Sequence, residues 1–151
     1  MKFSETQWVL DIGAGWAWTW KGVMAPRIIA LDFSFESLLI AKKLLGNQVD
    51  QNIHLICADA SRLPIKPMSV HGVWSTQALQ HMPPSDLQRC LELSHAALMK
   101  PALIEFYWIN RSTITNEIAS LLRKVLRNET SMPYYLHKIT ATELNKSLSS
   151  I

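Results

Sequence analysis

The 151-residue chain has only two cysteines and five glycines, and no run of five or six like charges. Each scarcity excludes something. Cys57 and Cys90 lie in apolar segments, without CxxC spacing or the nearby His and Cys residues that a zinc or redox centre needs, so both are expected to be buried, reduced thiols. His54, His71, His95 and His137 share no metal-ligand spacing with one another or with His81, and no metal is expected. The net charge of +3 comes from Lys and Arg scattered along the chain, which argues against a nucleic-acid arm or a polybasic membrane patch. Residues Met1 to Thr6 lack the apolar core of a signal peptide, and no apolar run approaches the roughly 18 residues of a membrane span. The expectation is a cytoplasmic protein with no nucleic-acid partner and no membrane span. Asn-X-Ser/Thr triplets begin at Asn110, Asn128 and Asn145, but they are frequent by chance and matter only in a secreted chain. There is no internal repeat, low-complexity tract or Gly/Ser-rich linker, so residues 1–151 read as one domain, with a core over 8–110 and a C-terminal segment over 111–151.

What is present is apolar: 48% of residues are hydrophobic and 18% charged, a globular composition. Short apolar runs alternate with segments of helical periodicity. Strands are expected at Trp8 to Asp11, Ile28 to Asp32, Ile53 to Ala58, Gly72 to Ser75 and Ala102 to Trp108. Their consecutive apolar positions suit a parallel sheet covered by helices on both faces. A short, tryptophan-rich helix is expected over Ala17 to Val23. Ser34 can cap a helix over Glu36 to Leu45 that Gly46 stops. Ser85 with Asp86 opens another, whose stripe Leu87, Cys90, Leu91, Ala97 and Leu98 ends before Pro101. A third is capped near Ser112, with Ile114, Ile118, Leu121, Leu122 and Val125 on one face and Arg123, Lys124 and Arg127 at its C-terminal end. The fold class is therefore α/β, a Rossmann-like doubly wound sheet of mainly parallel strands, and right-handed crossovers put every strand's C-terminal end on one edge.

That edge collects the chemistry. Asp11 with Gly13, Ala14 and Gly15 comes after the first strand, Asp32 after the second and Asp59 after the third, while Ser75 ends the fourth. Glycines let a backbone pass close to a ligand, and a carboxylate ending the second strand can accept both hydroxyls of a ribose.

These residues resemble the class I S-adenosylmethionine-dependent methyltransferases, particularly the small-molecule group that includes ubiquinone and menaquinone biosynthesis enzymes. Val9-Leu10-Asp11-Ile12-Gly13-Ala14-Gly15 is similar to that family's first motif, Ala30-Leu31-Asp32-Phe33-Ser34 to its second-strand motif, and Cys57-Ala58-Asp59-Ala60-Ser61-Arg62-Leu63-Pro64 to its third-strand segment. Gly72-Val73-Trp74-Ser75 resembles the family's fourth strand, and Ala78-Leu79-Gln80-His81-Met82 and Leu98-Met99-Lys100-Pro101 resemble the segments beyond that strand. The resemblance implies S-adenosylmethionine as cofactor and a small-molecule methyl acceptor. Asp32 would hold the ribose, Asp59 and the Ala60 backbone the adenine, Phe33 a flat wall beside it, and the Gly13 to Gly15 backbone with Asp11 the methionine portion. Ser75 would complete the cofactor site, and His81, just past the fourth strand, is the candidate general base.

Three departures stand out against the family pattern. Ala17 replaces the third loop glycine, in a segment with Trp16, Trp18 and Trp20 for which packing is the favoured role over a sulfonium pocket. The glycine pair expected after Lys100-Pro101 is missing. The segment Tyr135 to Leu144 resembles the family's lid helix, yet the sequence stops at Ile151, so the terminal antiparallel hairpin is expected to be absent through truncation, leaving an uncovered sheet edge open to self-association. Two other readings remain. A nicotinamide-dependent oxidoreductase would want glycine where Trp18 stands, and an indole there argues against a pyrophosphate. A methyltransferase-like domain that binds without catalysis is favoured by the altered loop and the early end.

Overall fold

The computed structural model describes residues 3–109 and 134–139. Six strands form one sheet in the order β3-β2-β1-β4-β5-β6: β1 Trp8–Ile12, β2 Arg27–Asp32, β3 Ile53–Cys57, β4 Val70–Thr76, β5 Leu98–Ile109 and β6 Tyr134–Ile139. Every pairing among them is parallel. The chain steps one way from β1 to β3 and the other way from β4 to β6, so the order reverses between β1 and β4, the place where such sheets open a ligand crevice.

Helices cover both faces. On one, α1 (Phe35–Leu45) buries Ala41 and Leu45 against Val9, Ile28, Ala30 and Ile53. On the other, α2 (Pro84–Ala97) buries Leu87, Cys90 and Leu91 against Leu10, Ile12, Leu31 and Val73. Neighbouring residues of β1 thus feed opposite cores, which is why the strand is apolar at consecutive positions. The caps of α1 are those the sequence implies: Ser34 Oγ accepts from the Ser37 amide at 3.1 Å, and Gly46 ends the helix at φ 55°.

Several elements differ from expectation. The first helix shrinks to a single 3-10 turn, Trp18–Trp20, because the chain must turn at once: Gly22 takes φ 77°, and Gln48 binds the segment by accepting from Gly22 N and donating to the carbonyls of Trp20 and Val23. The second helix opens at Pro84, not at Ser85, with no side-chain cap; proline at the first position has its φ already set. It ends at Ala97, and Leu98 already belongs to β5. The missing glycine turn is absorbed there by a register shift, in which Val70 pairs with Leu98 and Gly72 with Leu103. The lid-helix expectation for Tyr135 to Leu144 is corrected over 134–139, which form β6 beside β5, so β5 is not the open edge. The helix expected near Ser112 lies outside the described residues. No helix among the described residues is long and apolar enough to cross a membrane.

Cys90 is buried, which pushes its thiol up to about 11. Cys57 is exposed, against expectation: it is the last residue of β3, an edge strand, and its Sγ faces the Phe33 carbonyl at 3.6 Å. His54 and His71 sit at the opposite end of their strands from the crevice, around Trp8, whose amide donates to His71 Nδ1 at 3.1 Å.

Candidate functional site

The end of β1 turns sharply back on β2. The amides of Gly13 and Ala14 both donate to the Leu31 carbonyl, at 2.8 and 3.0 Å. Gly13 takes φ 70°, and a Cβ there would collide with the Cβ of Ala78, so glycine is required by conformation and by space. Gly15 comes next at φ 56°. Ala17, standing where a third glycine is expected, adopts the left-handed conformation itself, with φ 51° and ψ 26°. The bend is kept without the glycine.

Asp32 fastens this loop from β2. It is buried; its Oδ2 accepts from Gly15 N at 2.7 Å and its Oδ1 from Ser34 N at 2.9 Å. One carboxylate therefore holds the glycine loop on one side and the start of α1 on the other. Asp11 lies deeper. Its Oδ2 accepts from Trp20 Nε1 at 2.7 Å, and burial raises its pKa from the ordinary 3.8 to about 7, with the Trp20 hydrogen bond opposing the rise and the Asp32 charge adding to it. Trp20 packs edge-on against Trp74 at 5.7 Å, so this tryptophan is a packing residue, whereas Trp16 and Trp18 are exposed.

At the end of β3, Asp59 caps the 3-10 turn Ala60–Arg62. Its Oδ1 accepts from both the amide and the hydroxyl of Ser61 at 2.8 Å, which together with the nearby Arg62 hold the carboxyl below its usual range. It is exposed, and Oδ2 is left free for a ligand. Ser75, at the end of β4, donates to the Ile12 carbonyl at 2.8 Å and is buried; it ties β4 to β1 at the switch point.

Between these strand ends lies a cleft of about 550 Å³, a size usual for small-molecule and cofactor sites. Of the residues singled out in the sequence, Gly13, Asp32, Phe33, Asp59, Ala60 and His81 line it. Asp11, Ala14, Gly15 and Ser75 do not, and stand behind it as supports of the loop and strand ends. Phe33 lines the cleft and is 83% exposed, so its ring is open to a ligand. His81 ends the 3-10 turn Leu79–His81, exposed, with its Nε2 at 3.2 Å from Gln80 Nε2. The sequence reading missed the apolar walls Ile12, Leu31, Ala58, Ala78 and Met82, and it took Asp86 for a helix start although that carboxylate also faces the cleft. The signal for Asp86 was its place in the first turn of α2, the helix that leaves the crevice.

The lining contains three carboxylates, one imidazole and no Lys or Arg. A site of this kind rejects phosphate and accepts amines, hydroxyls and cations.

Residues 9–101 match the family described as "Methyltransferase domain". Among curated proteins, a malonyl-[acyl-carrier protein] O-methyltransferase of Marinomonas sp. is 33% identical over 85 residues, which is 53% of this chain and only 30% of that protein. The chain thus spans less than a third of that relative. Among solved structures, an S-adenosylmethionine dependent methyltransferase of Mesorhizobium loti is 26% identical over 60% of this chain and 41% of its own, with a TM-score of 0.52. The phosphoethanolamine N-methyltransferase 2 of Haemonchus contortus, solved with S-adenosyl-L-methionine, shares the fold with a TM-score of 0.67 over 83% of this chain and 33% of its own, at 19% identity. With a family match over most of its length and a six-stranded parallel sheet whose order reverses at the candidate cleft, the chain belongs to the class I S-adenosylmethionine-dependent methyltransferases.

Proposed function

We propose that the cleft binds S-adenosylmethionine and that the protein transfers a methyl group to a small-molecule acceptor. The observation that carries this reading is the charge of the lining: carboxylates between apolar walls, with no basic side chain. A dinucleotide would bring a pyrophosphate against Asp32, Asp59 and Asp86; a methyl donor brings a sulfonium, an ammonium, a diol and an aromatic amine. When bound, the donor supplies an activated methyl group, and the chain's own residues position it and exclude water.

In this reading Asp32 accepts from the ribose hydroxyls while keeping its two amide donors. Asp59 accepts from the adenine amine through the free Oδ2, with the Ala60 backbone meeting the ring, and Phe33 gives the ring an apolar face. The backbone from Gly13 through Ala14 to Gly15 borders the methionine portion. Asp11 orients that loop through Trp20, and Ser75 fixes the strand end beneath it. His81, on the cleft wall, takes a proton from the acceptor. The whole chain acts as one donor-binding domain of a cytoplasmic enzyme. The relative's name makes small carboxylic acids, malonyl esters among them, the first acceptors to assay.

Equilibrium titration tests the reading. Saturable binding of S-adenosylhomocysteine, lost in Asp32→Ala, with none of NADH, is expected; the reverse preference overturns it. Turnover by the chain on a panel of carboxylate, amine and quinol acceptors then tests catalysis, and binding without turnover on any of them would favour the binding-only alternative.

A further inference from the structure

We propose that Arg62 and Arg89 form a second site beside the donor cleft, one that takes a phosphate group. A separate open cleft of about 530 Å³ is lined by Ser61, Arg62, Leu63, Asp86, Arg89 and Leu93. Its two arginines come from different elements, the turn Ala60–Arg62 and the helix Pro84–Ala97, which pack on each other and fix the spacing of the two side chains' roots. Neither guanidinium is held in a short ion pair, although the charge of Arg62 reaches Asp59. Arg89 has only Glu92 at 4.0 Å on an exposed helix surface, and Arg62 makes no ion pair among the described residues. The cleft holds one carboxylate, Asp86, against these two cations, so its charge is opposite to that of the donor cleft.

The ligand class is set by the donors. Two guanidinium forks present paired N–H groups, the pattern that phosphate oxygens accept. Ser61 is not among the donors, since its amide and hydroxyl are both spent on Asp59. Asp86 stands on the wall common to both clefts and repels an anion that would pass from one into the other. The site adjoins Asp59 through Ser61 and shares Asp86 with the donor cleft, but its two arginines lie outside that cleft's lining.

The test uses the full chain at constant ionic strength, titrated with inorganic phosphate and, separately, with glycerol 3-phosphate, while the arginine side-chain NMR signals are followed. Saturable shifts at Arg62 and Arg89, absent with chloride, are expected. Arg62→Gln and Arg89→Gln, both at exposed positions, should each weaken binding roughly fivefold to tenfold. Equal affinity for the two probes assigns the site to free phosphate, and tighter binding of the ester assigns it to a phosphate ester. Shifts that do not saturate, that chloride reproduces, or that keep the parent affinity at the remaining arginine of each single variant overturn the proposal. Titration of the same sample with S-adenosylhomocysteine reads the donor cleft separately, so failure of either site is distinguishable from failure of the other.

Discussion

Replacing Asp11 by asparagine isolates the cost of a buried charge beneath the glycine loop. In the folded protein this carboxyl titrates near 7, against an ordinary 3.8, chiefly because burial disfavours the ionised form. The folded state therefore binds the proton more tightly than the unfolded one. Stability from this group is fully present below 3.8, declines as pH rises and is gone above about 7. A rise of about three units corresponds to a total loss of about 4 kcal/mol, of which about 3 kcal/mol accrues between pH 5 and 8. An asparagine side chain cannot ionise, has nearly the same volume, and offers an amide oxygen to Trp20 Nε1. Asp11→Asn should therefore gain on the parent chain by about 3 kcal/mol between pH 5 and 8. Urea unfolding followed by circular dichroism at matched ionic strength measures it. A difference between the two proteins that stays flat within about 0.5 kcal/mol over that range would refute the reasoning, as would a carboxyl carbon signal of Asp11 titrating near 4.

Other perturbations read other parts of the site. Gly13→Ala places a methyl group against Ala78 and strains a positive φ, so a loss of at least about 3 kcal/mol is expected in the same unfolding assay. Adding Ala78→Gly should relieve the collision but leave about 1 kcal/mol of backbone strain. Ser34→Ala removes the cap of α1 and should cost about 1 kcal/mol while leaving S-adenosylhomocysteine affinity unchanged. His81→Ala should lower kcat by roughly 100-fold or more with the donor KM unchanged; a shift in donor KM instead would give His81 a binding role.

Much of the architecture was legible because its causes are local. The consecutive apolar strands, the Ser34 and Gly46 caps and the strand-end acids each state a physical requirement within a few residues. What the sequence reading lost depends on partners distant in the chain. The turn at Trp18–Trp20 replaces a helix because Gln48, 26 residues beyond Gly22, binds it from another element. Cys57 looked buried in an apolar run, but β3 is an edge strand, and strand order is a property of the whole sheet. Asp86 reads as an ordinary acid in a helix's first turn until α2 is seen to start at the crevice. Ala17 shows the converse. Its sequence departs from the glycine pattern while its backbone keeps the left-handed bend, so a loop's geometry can outlast the residue that makes it easiest.

Asp32 explains why the cleft is organised before any ligand arrives. An ionised carboxylate offers about four lone-pair directions, and two are occupied by the amides of Gly15 and Ser34. Those two bonds hold the glycine loop and the start of α1 in register, so the side chain has little rotational freedom left to lose on binding. In the proposed reading the two remaining directions accept the two hydroxyls of a ribose while the amide bonds to the loop are kept. Asp32→Asn should therefore act in two steps. One oxygen becomes an amide nitrogen that cannot accept from Gly15 or Ser34, which frees one end of the loop and costs about 1–3 kcal/mol in stability. One hydroxyl of the ligand also loses its acceptor. Affinity for S-adenosylhomocysteine should consequently fall by more than for Ser34→Ala, which disturbs the same helix start but leaves both amides on the carboxylate. Equal losses in the two variants, measured by titration calorimetry, would mean that Asp32 works only as a structural clamp.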